Sequence, residues 1–511
     1  MVKMTNSPPS SAFVFRILSP SITPPNFCAP RLGRLSFVRA ADKDIDIATP
    51  NFITSTSRGV VPHLSRDHVQ KTSAIGWVHI PFESFLASSP PVPTLQPGAH
   101  KLHSFLGFSR DRYILSLSLR DPCDDNPMPP NANTHVVAQS LRGACKVTPA
   151  LYRSHASSVQ PDIIFALADI PHTPSQLPSQ KRTTKSIERT LRWLAELLMP
   201  KASSPPLSNI FVPLLGGNVI AAREAFSTQL QEPLEGLEAA ALPQLRTLDD
   251  GVSGYVLDLL PLRLTSTTAP SASGIGDVVP HVQASLRSLP FTRPRIATAP
   301  ISPHEILRLV SRGGIDLFDS NWVQQAADWG VALDFQFPVV DIPRRPVKLH
   351  MGRNIYDDQY AMDFESLSGA SGARCPCIAC SPSFSPEPIV HSDLDASSYV
   401  LDAELSTSPL PVTRAYVHHL LHTHEMSSHA LLAAHNLSIL SGFFAGIREV
   451  VGRGGEALEA EIAKFEERYD EGTSKLMMEE AKRDWEAVDR ARGKGRLKRE
   501  KEDKDKLGES E

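Results

Sequence analysis

One alternation, sustained over about 400 residues, limits what this chain can fold into. Short apolar runs with strand character recur, and each is followed by a helical or loop segment. They are Ile75–Ile80, Tyr113–Leu117, Asp162–Leu167, Asn209–Leu214, Gly254–Asp258 and Ile315–Phe318. Lys185–Leu198 places Ile187, Leu191, Leu194, Leu197 and Leu198 on one helical face. Ser302-Pro-His-Glu305 has the spacing of a capping box, which predicts a helix start. The pattern predicts a parallel sheet covered by helices, either a closed barrel or an open doubly wound sheet, and does not choose between them.

Between these units lie Pro/Ser-rich stretches, Ser88–Gly98, Asp121–Asn133, Thr265–Gly276 and Ser381–Pro411, which hold many of the 44 prolines. They have too little apolar surface to offset their ordering entropy, so they read as mobile surface insertions. From Gly455 the chain becomes highly charged, ending in Arg496–Lys506, and reads as a solvated helix fraying into a mixed-charge tail. No run of about 18 apolar residues is evident, so no transmembrane helix is expected. A formal net charge of -4 leaves any RNA contact to a local basic patch.

Met1–Ala41 has no acidic residue and carries Lys3, Arg16, Arg31, Arg34 and Arg39. That composition fits a mitochondrial presequence. It also fits a disordered tip followed by two strands, Phe13–Leu18 and Gly33–Val38.

Three of the six cysteines crowd into Cys375-Pro-Cys-Ile-Ala-Cys380. A disulfide scaffold would spread them, so the cluster reads as a metal site in a reducing compartment. Zinc takes four soft or borderline ligands in a tetrahedron, and a tight turn can deliver three thiolates together. The fourth ligand must come from elsewhere. Arg414–Leu440 is strongly helical and offers His418, His419, His422, His424, His429 and His435, each a candidate on the residues alone. Three thiolates and one histidine leave no open position, so such a zinc is structural.

The region Arg374–Asn436 resembles the zinc segment of the tRNA-guanine transglycosylases. The family pattern C-x-C-x2-C, R-A-Y-L-H-H-L and H-N is matched by Cys375–Cys380, Arg414-Ala-Tyr-Val-His-His-Leu420 and His435-Asn436. The resemblance carries the fourth ligand onto His435. Further matches run in the family's order: Thr49-Pro-Asn-Phe52, Lys181–Trp193, Pro213-Leu-Leu-Gly-Gly217, Gly314-Ile-Asp-Leu-Phe-Asp319 and Leu349–Asp363. Ala29–Leu35 resembles the opening strands, which favours strands over a presequence. The resemblance implies a (β/α)8 barrel with a zinc-binding insertion near its C-terminal end. It divides the chain into a disordered 1–12, a barrel over 13–453 that includes zinc region 374–440, and a charged helical or disordered tail over 454–511.

Active members exchange a guanine in tRNA, with one aspartate as nucleophile and a second as acid/base. Asp319 matches the nucleophile. The D-S-G-G-F-Q motif that carries the acid/base has no counterpart between Ile75 and Leu117. The acidic pair that reads the base is Ala168-Asp169, and the glutamine of V-Q-G-G is Leu215. A pocket stripped of its polar groups loses most base discrimination. The resemblance is therefore to the non-catalytic subunit of the eukaryotic queuine-inserting enzyme, with Asp319 vestigial. Its implied partners are the catalytic subunit, in a heterodimer, and tRNA. Its implied location is the cytoplasm, with a peripheral place on the mitochondrial outer membrane as a variant. Through the zinc-bearing region, where family dimers pack, His418 and His419 are interface candidates. Arg414, Lys181, Arg182 and Lys185 are candidate phosphate contacts. The competing readings are an active transglycosylase using Asp319, and a zinc-stabilised barrel that binds RNA or protein without base exchange.

Overall fold

The structure, a computed structural model, describes residues 12–18, 27–39, 43–170, 178–200, 207–264, 277–340, 348–368, 375–382 and 410–492. Two compact units emerge. One comprises Met1–Pro62, Ser73–Trp322 and Phe444–Ile462, the other His63–Thr72, Val323–Phe443 and Ala463–Glu511. The division is not the linear one expected from the sequence, because each unit gathers separated stretches of chain. The terminal stretches 1–11 and 493–511, and the insertion cores 265–276 and 383–409, lie outside the described residues.

The first unit begins with an antiparallel sheet of β1 (Ala12–Ile17), β2 (Gly33–Val38) and β3 (Ile45–Thr49). The barrel follows: β4 (Asn51–Ser55), β5 (Trp77–Pro81) and β6 (Ile114–Ser118). A hairpin of β7 (Val136–Ser140) and β8 (Gly143–Val147) interrupts the alternation. The barrel resumes with β9 (Ile163–Phe165), β10 (Ile210–Pro213), β11 (Gly254–Asp258), β12 (Arg295–Thr298) and β13 (Leu317–Asp319). These eight strands close in chain order, and β13 pairs in parallel with β4 through Leu317–Asn51, Phe318–Phe52 and Asp319–Ile53. Closure settles the choice the alternation left open, and the α/β barrel implied by the resemblance is the one observed.

The small sheet plugs the barrel at the strands' N-terminal end. Leu35, Phe37, Ile45 and Ile47 pack with Trp77, Ile114, Ile163, Phe211, Val256, Ile296 and Leu317 in one core. Two buried ion pairs fasten it. Arg31 binds Asp316, just before β13, at 2.6 Å, and Arg39 binds Asp162, just before β9, at 2.7 Å. Two of the arginines whose composition suggested a presequence are thus parts of the fold. Helix Gln180–Leu198 is capped by Ser179, and helix Pro303–Gly313 by Ser302, whose hydroxyl accepts from the Glu305 amide as the capping spacing predicts.

The second unit contains the hairpin of β14 (Val331–Leu333) and β15 (Gly352–Asn354), the cysteine turn and the histidine-bearing helical stretch as far as Phe443. The segment Arg414–Leu440, predicted to be strongly helical, falls in two helices, Arg414–His422 and Met426–Arg453. They are separated by a turn at His424, whose φ is 60°. The latter contains an 18-residue window with a mean hydropathy of 1.5, long and apolar enough to cross a bilayer, contrary to the expectation of no such run. Burial of 72% of that window within the chain accounts for its apolarity.

The charged segment after Gly455 is not a solvated tail within the described residues. Helix Gly455–Arg468 buries Leu458, Ile462 and Phe465. In the second unit Phe465 packs with Phe335, Phe337, Phe443 and Tyr469. Helix Glu471–Ala491 buries Ser474, Ala481 and Trp485. Its charge belongs to the outer face of amphipathic helices, whose sparse apolar stripe composition alone understates.

Candidate metal centre and barrel mouth

The cysteine turn folds on itself before it meets any partner. The Cys380 amide donates to Cys377 Sγ at 3.2 Å, the Ser381 amide to the Cys377 carbonyl at 2.9 Å, and the Ser381 hydroxyl to the Cys375 carbonyl at 2.9 Å. The Val412 amide, donating to the Ala379 carbonyl, ties the turn to the segment entering helix Arg414–His422.

Of the six candidate histidines, the structure brings His435 to the thiols. Its Nδ1 lies 3.4 Å from Cys380 Sγ and 3.6 Å from Cys377 Sγ. Its Nε2 donates to the Leu333 carbonyl at 2.9 Å, which fixes the tautomer and turns Nδ1 toward the cluster. Asn436, next in sequence, braces that strand by accepting from the Leu333 amide and donating to the Val331 carbonyl, both at 2.9 Å. This explains the His-Asn dipeptide: one residue faces the thiols while its neighbour holds the backbone that orients it. The donor atoms of Cys375, Cys377, Cys380 and His435 all lie within 4.8 Å of one another, and all four residues are buried. The group could hold a metal ion.

Hydrogen bonds from Cys375 and Cys377 hold Cys380 toward the thiolate, and the mirror effect raises Cys377. Burial opposes a charge on His435, but its contacts with Cys375 and Cys380 outweigh that and lift its pKa to about 10. A bound cation would displace these protons.

Three of the remaining histidines are bonded to backbone carbonyls. His418 is buried and bonded to the Ile355 carbonyl, His422 is exposed and bonded to that of Tyr356, and His429 is bonded to that of Ala327. His419 is exposed. Arg414, a candidate phosphate contact, is buried against Asp363 and Glu365.

In the barrel unit, the family-matched positions gather at the C-terminal strand ends, where barrel sites form. Asp319 closes β13. Its Oδ1 accepts from the Asn321 amide at 2.8 Å, and its Oδ2 accepts from the Ala299 amide and from Cys123 Sγ. Burial raises its pKa against those amides. It borders a cavity of about 10 Å3 with His79, Asp121, Phe165 and Thr298, room for about one water.

Asp169 is fully buried and spoken for. Arg182 grips both its oxygens at 2.7 Å, Arg189 donates at 3.0 Å and Asn131 at 2.8 Å. Burial works against its charge, but these donors hold its pKa below the usual carboxylate range. Arg182, another candidate phosphate contact, is therefore an internal partner. Lys181 and Lys185 on the same helix are exposed. Leu215 lines a neighbouring cavity with Asp169, Gly216, Gly217 and Arg223. Gly216 is required there: its φ is 127°, and a Cβ would come within 2.5 Å of the Arg223 amide.

Sequence reasoning missed two acids at this mouth. Asp121 stands beyond β6, and Asp258 ends β11. Burial is the main cause that lifts each to a pKa of about 7, and Asp319 adds to both. The composition of Asp121–Asn133 predicts a mobile insertion. Its first residues line the mouth instead, and Asn131 bonds Asp169. The available signal was position, since Asp258 is the last residue of a strand that the pattern does identify.

A family model described as Queuine tRNA-ribosyltransferase matches residues 28–471. The chain is 26% identical over 430 residues to a queuine tRNA-ribosyltransferase accessory subunit 2 of Drosophila persimilis, covering 83% of this chain and 87% of that protein. The protein of the same name from Schizosaccharomyces pombe is 26% identical over 452 residues, 86% of this chain and 82% of the relative. The one from Gallus gallus is 26% identical over 424 residues, 79% and 88%.

Proposed function

Because this chain belongs to the queuine tRNA-ribosyltransferase family, we propose that it is the accessory, non-catalytic subunit of a heterodimeric tRNA-guanine transglycosylase. In that role it supports the exchange of wobble guanine for queuine by a catalytic queuine tRNA-ribosyltransferase subunit. One observation carries the non-catalytic reading: the acids that family chemistry requires are bonded by the chain itself. Asp169 is held by Arg182, Arg189 and Asn131, and Asp319 accepts from two amides and a thiol. Asp169 is fully buried and Asp319 is 5% exposed, so in this reading neither serves a base or a ribose.

The metal in the Cys3His group is zinc in this reading, and structural. A tetrahedron with Zn–S of about 2.3 Å and Zn–N of about 2.1 Å has S···N edges of about 3.6 Å. The observed 3.4 and 3.6 Å match. The partner surface lies on the zinc-bearing unit. Met362, Phe364, Leu410 and Tyr416 are 79, 73, 86 and 50% exposed. Their segments are joined by the Ala415 and Arg414 amides, which donate to the Asp363 and Glu365 carbonyls. Clustered exposed apolar side chains of this kind mark interaction surfaces. tRNA contact falls to Lys181 and Lys185. The complex works in the cytoplasm or against the mitochondrial outer membrane, which cell fractionation would distinguish.

Sedimentation of this chain mixed with its catalytic partner tests the pairing. A one-to-one complex weakened by Phe364→Asp supports it, and two independently sedimenting species would refute it.

One observation favours an alternative, an active enzyme: Asp121 supplies a second carboxyl group beside Asp319. A covalent adduct between this chain alone and tRNA, lost in Asp319→Ala, would establish that reading.

A further inference from the structure

We propose that the zinc-bearing unit has a second metal site, formed by Asp358, His418 and His422, which takes an exchangeable divalent transition-metal ion. One ligand atom from each of these three residues lies within 4.8 Å of the other two. His418 and His422 stand four apart on helix Arg414–His422, hence on one face, with ring centroids 4.2 Å apart. Asp358 opens the short 3-10 turn Asp358–Tyr360.

The hydrogen bonds settle which nitrogens are free. His418 Nδ1 lies 3.0 Å from the Ile355 carbonyl, and His422 Nε2 lies 3.0 Å from the Tyr356 carbonyl. A carbonyl only accepts, so those nitrogens carry the protons. His418 Nε2 and His422 Nδ1 are left with lone pairs. A metal-bound imidazole has this arrangement, its second nitrogen donating to a backbone carbonyl that sets tautomer and tilt. The His422 ring is further fixed by stacking on Tyr356 at 4.2 Å and 5°. Both carbonyls and the carboxylate come from the single stretch Ile355–Asp358, so one loop orients both histidines and supplies the third ligand.

The surroundings suit a cation. Asp357 lies close enough to Asp358, Glu480 and Asp484 to feel their carboxylates. Two imidazoles and a carboxylate suit zinc, nickel, cobalt or copper ions, whereas calcium and magnesium want oxygen ligands. Asp358 and His422 are exposed, so water fills the remaining positions and the ion exchanges. The site shares no ligand with the buried Cys3His group.

Calorimetric titration of zinc into the full chain, already loaded with one zinc and freed of excess, tests the site. The expected result is a second equivalent in the unmodified chain. His422→Ala and Asp358→Asn should each weaken it by about tenfold or more while metal analysis still finds the first zinc. Both side chains are exposed, so neither change threatens folding. Absence of a second equivalent, or its persistence unchanged in both variants, would overturn the proposal.

Discussion

Asp319→Ala separates a structural carboxylate from a catalytic one. In the folded chain the Asp319 oxygens accept the Ala299 and Asn321 amides and the Cys123 thiol. Truncation leaves all three donors without their acceptor. A buried amide left without a partner costs about 1–3 kcal/mol. Ala299 is 8% exposed and carries the full penalty, whereas Asn321 is half-buried and can recruit water. Against this, the change removes a carboxyl whose burial is unfavourable and whose charge raises Asp121 and Asp258. The net expectation is a loss of about 1–3 kcal/mol. Denaturant unfolding can be followed by fluorescence, since Trp77 and Trp193 are buried in the barrel unit. The account expects a lower unfolding midpoint, with base exchange by the assembled pair unchanged wherever the variant is folded. Unchanged stability together with lost exchange would refute the structural reading.

Cys380→Ser or His435→Ala should abolish retention of the zinc proposed for the Cys3His group, measured as one metal ion fewer per chain by elemental analysis. Acidification should release that zinc as the thiolates and His435, whose contacts favour protonation, take up protons. Asn436→Ala should weaken zinc binding by about 10–100-fold through loss of the brace on Leu333, read by competition with a chelator. Arg39→Ala should cost up to about 3–5 kcal/mol, because the buried Asp162 would lose the Arg39 guanidinium and keep only His103 and the Leu115 amide; chemical denaturation measures it. The pH dependence runs opposite to a salt-bridged acid. Asp121 and Asp258 hold their protons to a folded pKa of about 7, above their unfolded values. Their contribution is therefore full below the unfolded pKa and is lost as pH rises toward 7. Unfolding of Asp121→Asn at several pH values should show a shallower loss of stability over that window than the unmodified chain.

The barrel was legible because each parallel strand is buried on both faces and so reads as a short apolar run. Gly254–Asp258 was identified to the residue. Closure was not legible, since it depends on β13 pairing with β4 across 266 positions of chain (319 − 53), which periodicity cannot register. The thiols announced themselves by spacing, but His435 could be chosen among six histidines only through the family pattern. Its selection rests on Leu333 and Asn436, contacts distant in sequence. The mouth was least legible. Asp121 lies in a proline-rich stretch that looked mobile, and the use of Arg182 against Asp169 looked like surface charge on an exposed helix. Composition describes a segment's average, whereas these residues act through single long-range partners.

Base exchange into an anticodon-bearing tRNA tests the central claim most directly, run with this chain alone, with its catalytic partner alone, and with both together. The account predicts exchange in the mixture alone, retained when this chain carries Asp319→Ala. Exchange by this chain alone, abolished by Asp319→Ala, would contradict it.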